Sequence, residues 1–253
     1  VAKTIAVTGK GGVGKTTVAA MAVRWLKENC AGPILALDAD PDSNLATVLG
    51  IAPGKTIGDL REDLLREMND FPAGMSKQAY IEAGLHQLIV ETPKLDLIAM
   101  GRGEGPGCYC YINNLLRKFA DDVFPSYEWL VMDNEAGMEH LSRRTTSRVD
   151  HLFVVVNDGR MSLDCAKRVN DLLASMGREV RNKYVIANGV RENRVQAVKA
   201  FVTGLDMEFL GCVPSDPAID EALFGGRSIC DINGSPAIAG MNAIMERIVS
   251  SEG

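Results

Sequence analysis

The chain has 253 residues, 46% of them hydrophobic, and a formal net charge of -6. That is enough apolar material for one large α/β domain with a substantial core, and the acidic balance disfavours a surface that tracks nucleic-acid phosphates. No apolar run approaches the roughly 20 residues of a membrane span, and the first residues enter a core strand without the regions of a signal peptide, so the expectation is a cytoplasmic protein with neither nucleic acid nor membrane as partner.

The apolar run Thr4 to Val7 reads as a short buried strand, and it leads into Gly9-Lys10-Gly11-Gly12-Val13-Gly14-Lys15-Thr16-Thr17. This fits the G-x-x-x-x-G-K-[ST] phosphate loop, with a second lysine, Lys10, directly after the first glycine. Glycines let consecutive backbone N–H groups turn onto phosphate oxygens, Lys15 supplies a point charge to the β- and γ-phosphates, and the Thr16 hydroxyl can ligate Mg²⁺. Val18, Ala19, Ala22, Val23 and Leu26 then recur at helical spacing, so strand, loop and helix N-terminus make an anion site.

A second strand, Ile34 to Leu37, ends in Asp38-Ala39-Asp40-Pro41-Asp42-Ser43-Asn44. Carboxylates at a strand end near a metal-bound phosphate can hold Mg²⁺ through water or orient the attacking water, although Asp42 and Ser43 also suit a helix N-cap. Residues near 56–90 carry two mostly helical segments around the break at Pro72-Ala73-Gly74, and read as a helical insertion in a single domain of residues 1–253.

The run Leu95 to Met100 is followed by the glycine-rich stretch Gly101 to Gly107 and by Cys108-Tyr109-Cys110, before an apolar helical stretch from Ile112 to Phe124. Two thiolates supply half of a tetrahedral zinc site or half of a square-planar Ni²⁺ site, and a symmetric dimer would complete it; two small buried hydrophobes are the alternative. Cys30, Cys165, Cys212 and Cys230 read as packing residues.

Strand Trp129 to Met132 finishes in Asp133-Asn134-Glu135-Ala136-Gly137. An apolar strand ending in Asp is the Walker B arrangement, and Gly137 can offer a bare N–H to the γ-phosphate. His140 is a further candidate metal ligand, though a lone histidine ordinarily packs or hydrogen-bonds. Strands Leu152 to Val156, Tyr184 to Ala187 and Phe209 to Val213 end near Asn157, Asn188 and Pro214, and Ala237 to Val249 reads as a core-packing helix. Apolar runs alternating with amphipathic stretches give a doubly wound α/β fold, a mostly parallel sheet flanked by helices, with polar signals collected at the strands' carboxyl ends.

The phosphate loop with Lys10, Asp38-x-Asp40-Pro41 and Asp133-x-x-Ala136-Gly137 together resemble the deviant Walker A P-loop ATPases, the group that includes MinD, ParA and the nitrogenase iron protein. The resemblance implies an ATP-bound homodimer in which Lys10 reaches the partner's phosphates. It also implies that Lys15, Thr16 and Asp133 serve phosphates and Mg²⁺, that Asp40 orients the hydrolytic water, and that Asn188 and the backbone near Pro214 contact adenine. Guanine would call for Asn-Lys-x-Asp, where this chain has Asn188-Gly189-Val190-Arg191.

The Cys-x-Cys, with the Asp133 to Arg143 stretch, is similar to the CooC group, ATPases that assist nickel insertion into carbon monoxide dehydrogenase. That implies Ni²⁺ or Zn²⁺ at Cys108 and Cys110 and a nickel-enzyme client. Two alternatives stay open: a sibling factor serving acetyl-CoA synthase, and a positional ATPase of the ParA or MinD kind without metal chemistry.

Overall fold

The computed structural model describes residues 2–66, 77–102, 119, 121–135, 148–176 and 179–250. Within them an eight-stranded sheet has the order β3-β4-β2-β5-β1-β6-β7-β8. The strands are β1 (Lys3–Gly9), β2 (Ile34–Ala39), β3 (Val90–Thr92), β4 (Leu95–Ala99), β5 (Trp129–Asn134), β6 (Arg148–Val156), β7 (Glu179–Asn188) and β8 (Glu208–Val213). All neighbours pair in parallel except β3, which is antiparallel to β4 at one edge.

The described helices are α1 (Lys15–Asn29), α2 (Leu45–Leu49), α3 (Ile57–Arg66), α4 (Lys77–His86), α5 (Arg160–Met176), α6 (Glu192–Thr203), α7 (Pro217–Phe224) and α8 (Pro236–Ser250). They cover both faces of the sheet, so each central strand is buried on both sides and reads as a continuous apolar run. Alternation along β1 divides the core: Ile5 and Val7 point to the layer of α1 and α8, and Ala6 to the layer of α3 to α6. The helices α3 and α4 follow β2 in the chain and precede the β3–β4 edge.

Several strands run past their apolar stretches into polar residues. β2 continues through Asp38, paired beside Asp133 of β5, and β1 continues through Thr8 and Gly9, paired beside Val154 and Val155 of β6. At the other end, β6 begins at Arg148 instead of Leu152, and includes His151, buried and stacked between Trp129 and Tyr184. Asp150 beside it accepts a hydrogen bond from the Thr4 amide at 3.0 Å. Since β1 lies between β5 and β6, the phosphate loop leaves the sheet at its centre, where α/β sheets bind ligands.

Candidate functional site: the nucleotide cleft

The loop after β1 is shaped by two close approaches. Gly9 has φ +149°, and a Cβ there would lie 2.4 Å from the Val155 carbonyl oxygen; Gly14 has φ +85°, and its Cβ would lie 2.2 Å from Nδ2 of Asn188. A larger residue at Gly9 would run into the backbone of β6, and one at Gly14 would have to hold a left-handed conformation and displace the Asn188 side chain. Gly14 is also the residue before the first turn of α1, which carries no side-chain cap and no acidic residue. The amides of that turn are therefore left for an anion, and the positive end of the helix is not neutralised by the protein.

Lys15 is the first residue of α1 and is buried, and the hydroxyl-bearing Thr16 and Thr17 follow it half-buried. Asp133, at the end of β5, is almost fully buried, and neither carboxylate oxygen has a hydrogen-bond partner of good geometry among the described residues. Burial pushes its carboxyl up to about 7, with the charge of Asp38 adding to the shift and the Thr16 hydroxyl and Lys15 opposing it. A buried carboxylate without a well-formed protein hydrogen bond, beside a hydroxyl and a phosphate loop, is the donor set that a hard divalent cation accepts. The residues present therefore fit Mg²⁺.

Asp38 is used differently. Its Oδ2 accepts from the Leu45 amide at 2.8 Å and its Oδ1 from the Asp40 amide at 3.2 Å, while burial still raises it to about 6. It ties the loop after β2 to the start of α2, the N-cap position that Asp42 and Ser43 also suited by residue type. Asp42 instead pairs with Arg102 at 3.1 Å on the surface, and the Ser43 hydroxyl donates to the Asp40 carbonyl. Ser43 holds φ +49°, a left-handed conformation unusual for serine, so the loop stores local strain just after Asp40. The Asp40 side chain accepts from the Asp42 amide at 3.0 Å.

On the other side of the loop, a cleft of about 320 Å³ is lined by Gly12, Gly14, Thr17, Asn188, Pro214 and Asp216, among others. Asn188 and Pro214 thus share one wall. The Asn188 amide donates to the Val13 carbonyl at 2.8 Å, which fixes its orientation and leaves Oδ1 as its acceptor. Asn157, named from the sequence as a polar residue at a strand end, lines the same cleft, as do Asp216 and Asp220, which were not singled out. A signal for Asp216 was present, because Asp216-Pro217 and Ser235-Pro236 each place a capping residue before a proline, the pattern that starts a helix.

Cys108, Cys110, Gly137 and His140 lie outside the described residues. Among the described residues no cluster of three or more His, Cys, Asp or Glu side chains could hold a metal ion. Cys30, Cys165, Cys212 and Cys230 are free thiols packed in or against the two cores, and burial raises the thiols of Cys30 and Cys212 away from the thiolate a metal needs. No described helix is long and apolar enough to cross a membrane.

The family model of the CobQ/CobB/MinD/ParA nucleotide-binding domain matches residues 4–229. The chain belongs to this family. It is thus a P-loop ATPase of the MinD/ParA type, built around the cleft described above. Among relatives of this family member, an uncharacterised ATP-binding protein of Methanocaldococcus jannaschii is 42% identical over 219 residues, 86% of each chain. The carbon monoxide dehydrogenase accessory protein CooC of Rhodospirillum rubrum is 31% identical over 265 aligned positions, 98% of each chain. The solved structure of the MinD cell division protein of Aquifex aeolicus superposes with a TM-score of 0.70, covering 98% of this chain and 97% of its own at 24% identity, a likeness of fold.

Proposed function

We propose that this ATPase is a metallochaperone that assists nickel insertion into a client enzyme, a carbon monoxide dehydrogenase, and that ATP binding and hydrolysis drive its cycle. The observation that carries the proposal is the similarity to CooC along 98% of both chains, joined to the Cys108-Tyr109-Cys110 sequence. Two chains, each bringing two thiolates, supply the four soft ligands that Ni²⁺ or Zn²⁺ takes, and the metal is the cargo.

In this cycle Lys15 and the amides of the first turn of α1 hold the phosphates, and Lys10 of each chain completes the site of the other. Thr16 and Asp133 would hold Mg²⁺, and the chemistry it would supply is neutralisation of phosphate charge. Asp40 orients the attacking water, with Gly137 offering its amide to the γ-phosphate. Asn188 and the Pro214 backbone hold the adenine. Metal and nucleotide affinities are then linked, and each must change the other by the same factor.

Titration of the purified chain with Ni²⁺ and with Zn²⁺, read by metal analysis and by size-exclusion mass, tests the proposal. One metal ion per two chains is expected, accompanied by dimer formation. In the Cys108→Ala/Cys110→Ala variant stoichiometric uptake should disappear while ATP affinity stays within about twofold, because the thiols are not part of the phosphate site. Undiminished metal uptake by that variant would rule out the cysteine site.

A further inference from the structure

Arg24 sits in the middle of α1, buried on the side away from the strands' phosphate end, and it does not line the nucleotide cleft. Four contacts hold its guanidinium. Nε donates to Glu28 at 2.8 Å, Nη1 donates to the carbonyls of Ile229, at 3.0 Å, and Ile232, and Nη2 donates to Oδ1 of Asn233 at 3.4 Å. A buried guanidinium is a costly way to stabilise a fold, since an apolar side chain of similar volume is often as good or better. What it does supply is a fixed fork that holds several acceptors at once.

Glu28 belongs to α1 itself, and the other three acceptors belong to residues 229–233, in the connection between α7 and α8. Both of these helices begin at the cleft: Ile219 and Asp220 of α7 and Ala237 of α8 line it. Their N-termini are joined to each other by side chains. Asp216 caps α7 by accepting from the Ala218 amide at 2.9 Å, and it also accepts from the Ser235 hydroxyl. Ser235 accepts in turn from the Ile238 amide of α8 at 3.1 Å. The Ser235 hydroxyl, with the amides of Ala218 and Ala237, holds the Asp216 carboxyl below its usual range, so it remains ionised.

The base-side wall of the cleft is therefore one unit, closed at the front by Asp216 and Ser235 and fastened at the back to the helix that starts at the phosphate loop. We infer that Arg24 is a positioning residue that sets the distance between the phosphate loop and the base-binding wall, with the Asp216–Ser235 hydrogen bond as its counterpart at the cleft. A nucleotide bridges the two walls, so its affinity depends on their being held at the bound spacing beforehand. A ligand that touches only the phosphate loop has no such dependence. The inference rests on the ATP site of the family and is independent of the metal proposal.

Binding of ATP and of inorganic tripolyphosphate, each with Mg²⁺, separates these roles in Arg24→Met, Arg24→Lys and Ser235→Ala. ATP is expected to bind about tenfold more weakly in Arg24→Met and in Ser235→Ala, while tripolyphosphate affinity stays within about twofold. Arg24→Lys should recover only part of the loss, because one ammonium cannot serve carbonyls and an amide oxygen together. At saturating ATP the kcat of Ser235→Ala should stay near wild type with a raised KM. Unchanged ATP affinity in Ser235→Ala, or equal weakening of ATP and tripolyphosphate in a folded variant, overturns the inference. Should Arg24→Met fail to fold, Ser235→Ala decides it alone, and retained tripolyphosphate binding in either case shows that the phosphate site itself stands.

Discussion

Asp133→Asn is expected to lower ATP turnover by about 10³-fold while raising the thermal midpoint of the nucleotide-free protein by several degrees. Both effects come from one buried carboxylate without a well-formed protein hydrogen bond. Its carboxyl is raised to about 7 by burial, with the Asp38 charge on the neighbouring strand adding to the shift. In the unfolded chain an aspartate titrates near ~3.9, so the folded protein holds the proton over the window between these values. Stability from the protonated form is fully present below the lower value and is lost as the pH rises through about 7. The loss is on the order of 4 kcal/mol if Asp133 acts alone.

The amide of the variant does not titrate, so its advantage should be small near about pH 4, grow through neutrality and level off above it. Thermal unfolding in EDTA at about pH 5 and about pH 8 measures this, and a pH-independent difference would contradict the account. Adding Mg²⁺ and ATP should close the gap, because binding to the native state stabilises wild type more than the variant. On the proposed role of Asp133, the destabilising charge is retained for the cation and phosphate of the working protein.

The phosphate loop, Asp40, Asp133 and the parallel sheet were legible in the sequence because each is local: a glycine pattern, or a polar residue ending an apolar run. The central strands are buried on both faces, so their interiors show as continuous hydrophobic stretches, while their paired ends at Asp38, Asn134 and Gly9 do not. Strand β3 was missed altogether. It has three residues, one of them Glu91, and its hairpin turns at Lys94 with φ +65° and no glycine to mark it. The expected strand began only at Leu152 and left out His151 and Asp150, because only the tertiary structure supplies a stack between Trp129 and Tyr184 for one and the Thr4 amide for the other. Arg24 escaped for the same reason. Arg24 meets its backbone acceptors more than two hundred residues along the chain, and no local pattern announces a contact of that span.

Mixing Lys10→Ala and Asp40→Ala chains in equal amounts, each inactive alone, is expected to restore ATP turnover to about a quarter of wild type, since half the dimers are mixed and one site in each is complete. Asp40 follows β2, whose end is paired with the Walker B strand of the same chain, so it belongs to its own chain's site. Lys10 is half-exposed on the loop and has no ion-pair partner among the described residues, which leaves its charge available to a second chain. In the mixed dimer the chain lacking Lys10 keeps its own Asp40 and receives the lysine of its neighbour. The site of the other chain lacks both groups and stays silent. A lysine that served its own chain would leave both sites of the mixed dimer incomplete and give no recovery at any ratio. Recovery should also fall on dilution, because the complete site exists only in the dimer. On the proposed dimer, the device would follow the logic of an arginine finger supplied in trans, in which hydrolysis waits until the partner has arrived. Under the metallochaperone proposal, the same encounter brings Cys108 and Cys110 of two chains together, so ATP is spent only when a complete metal site has formed. Zero recovery from two variants that each still bind ATP would return Lys10 to its own chain's site and cut that link.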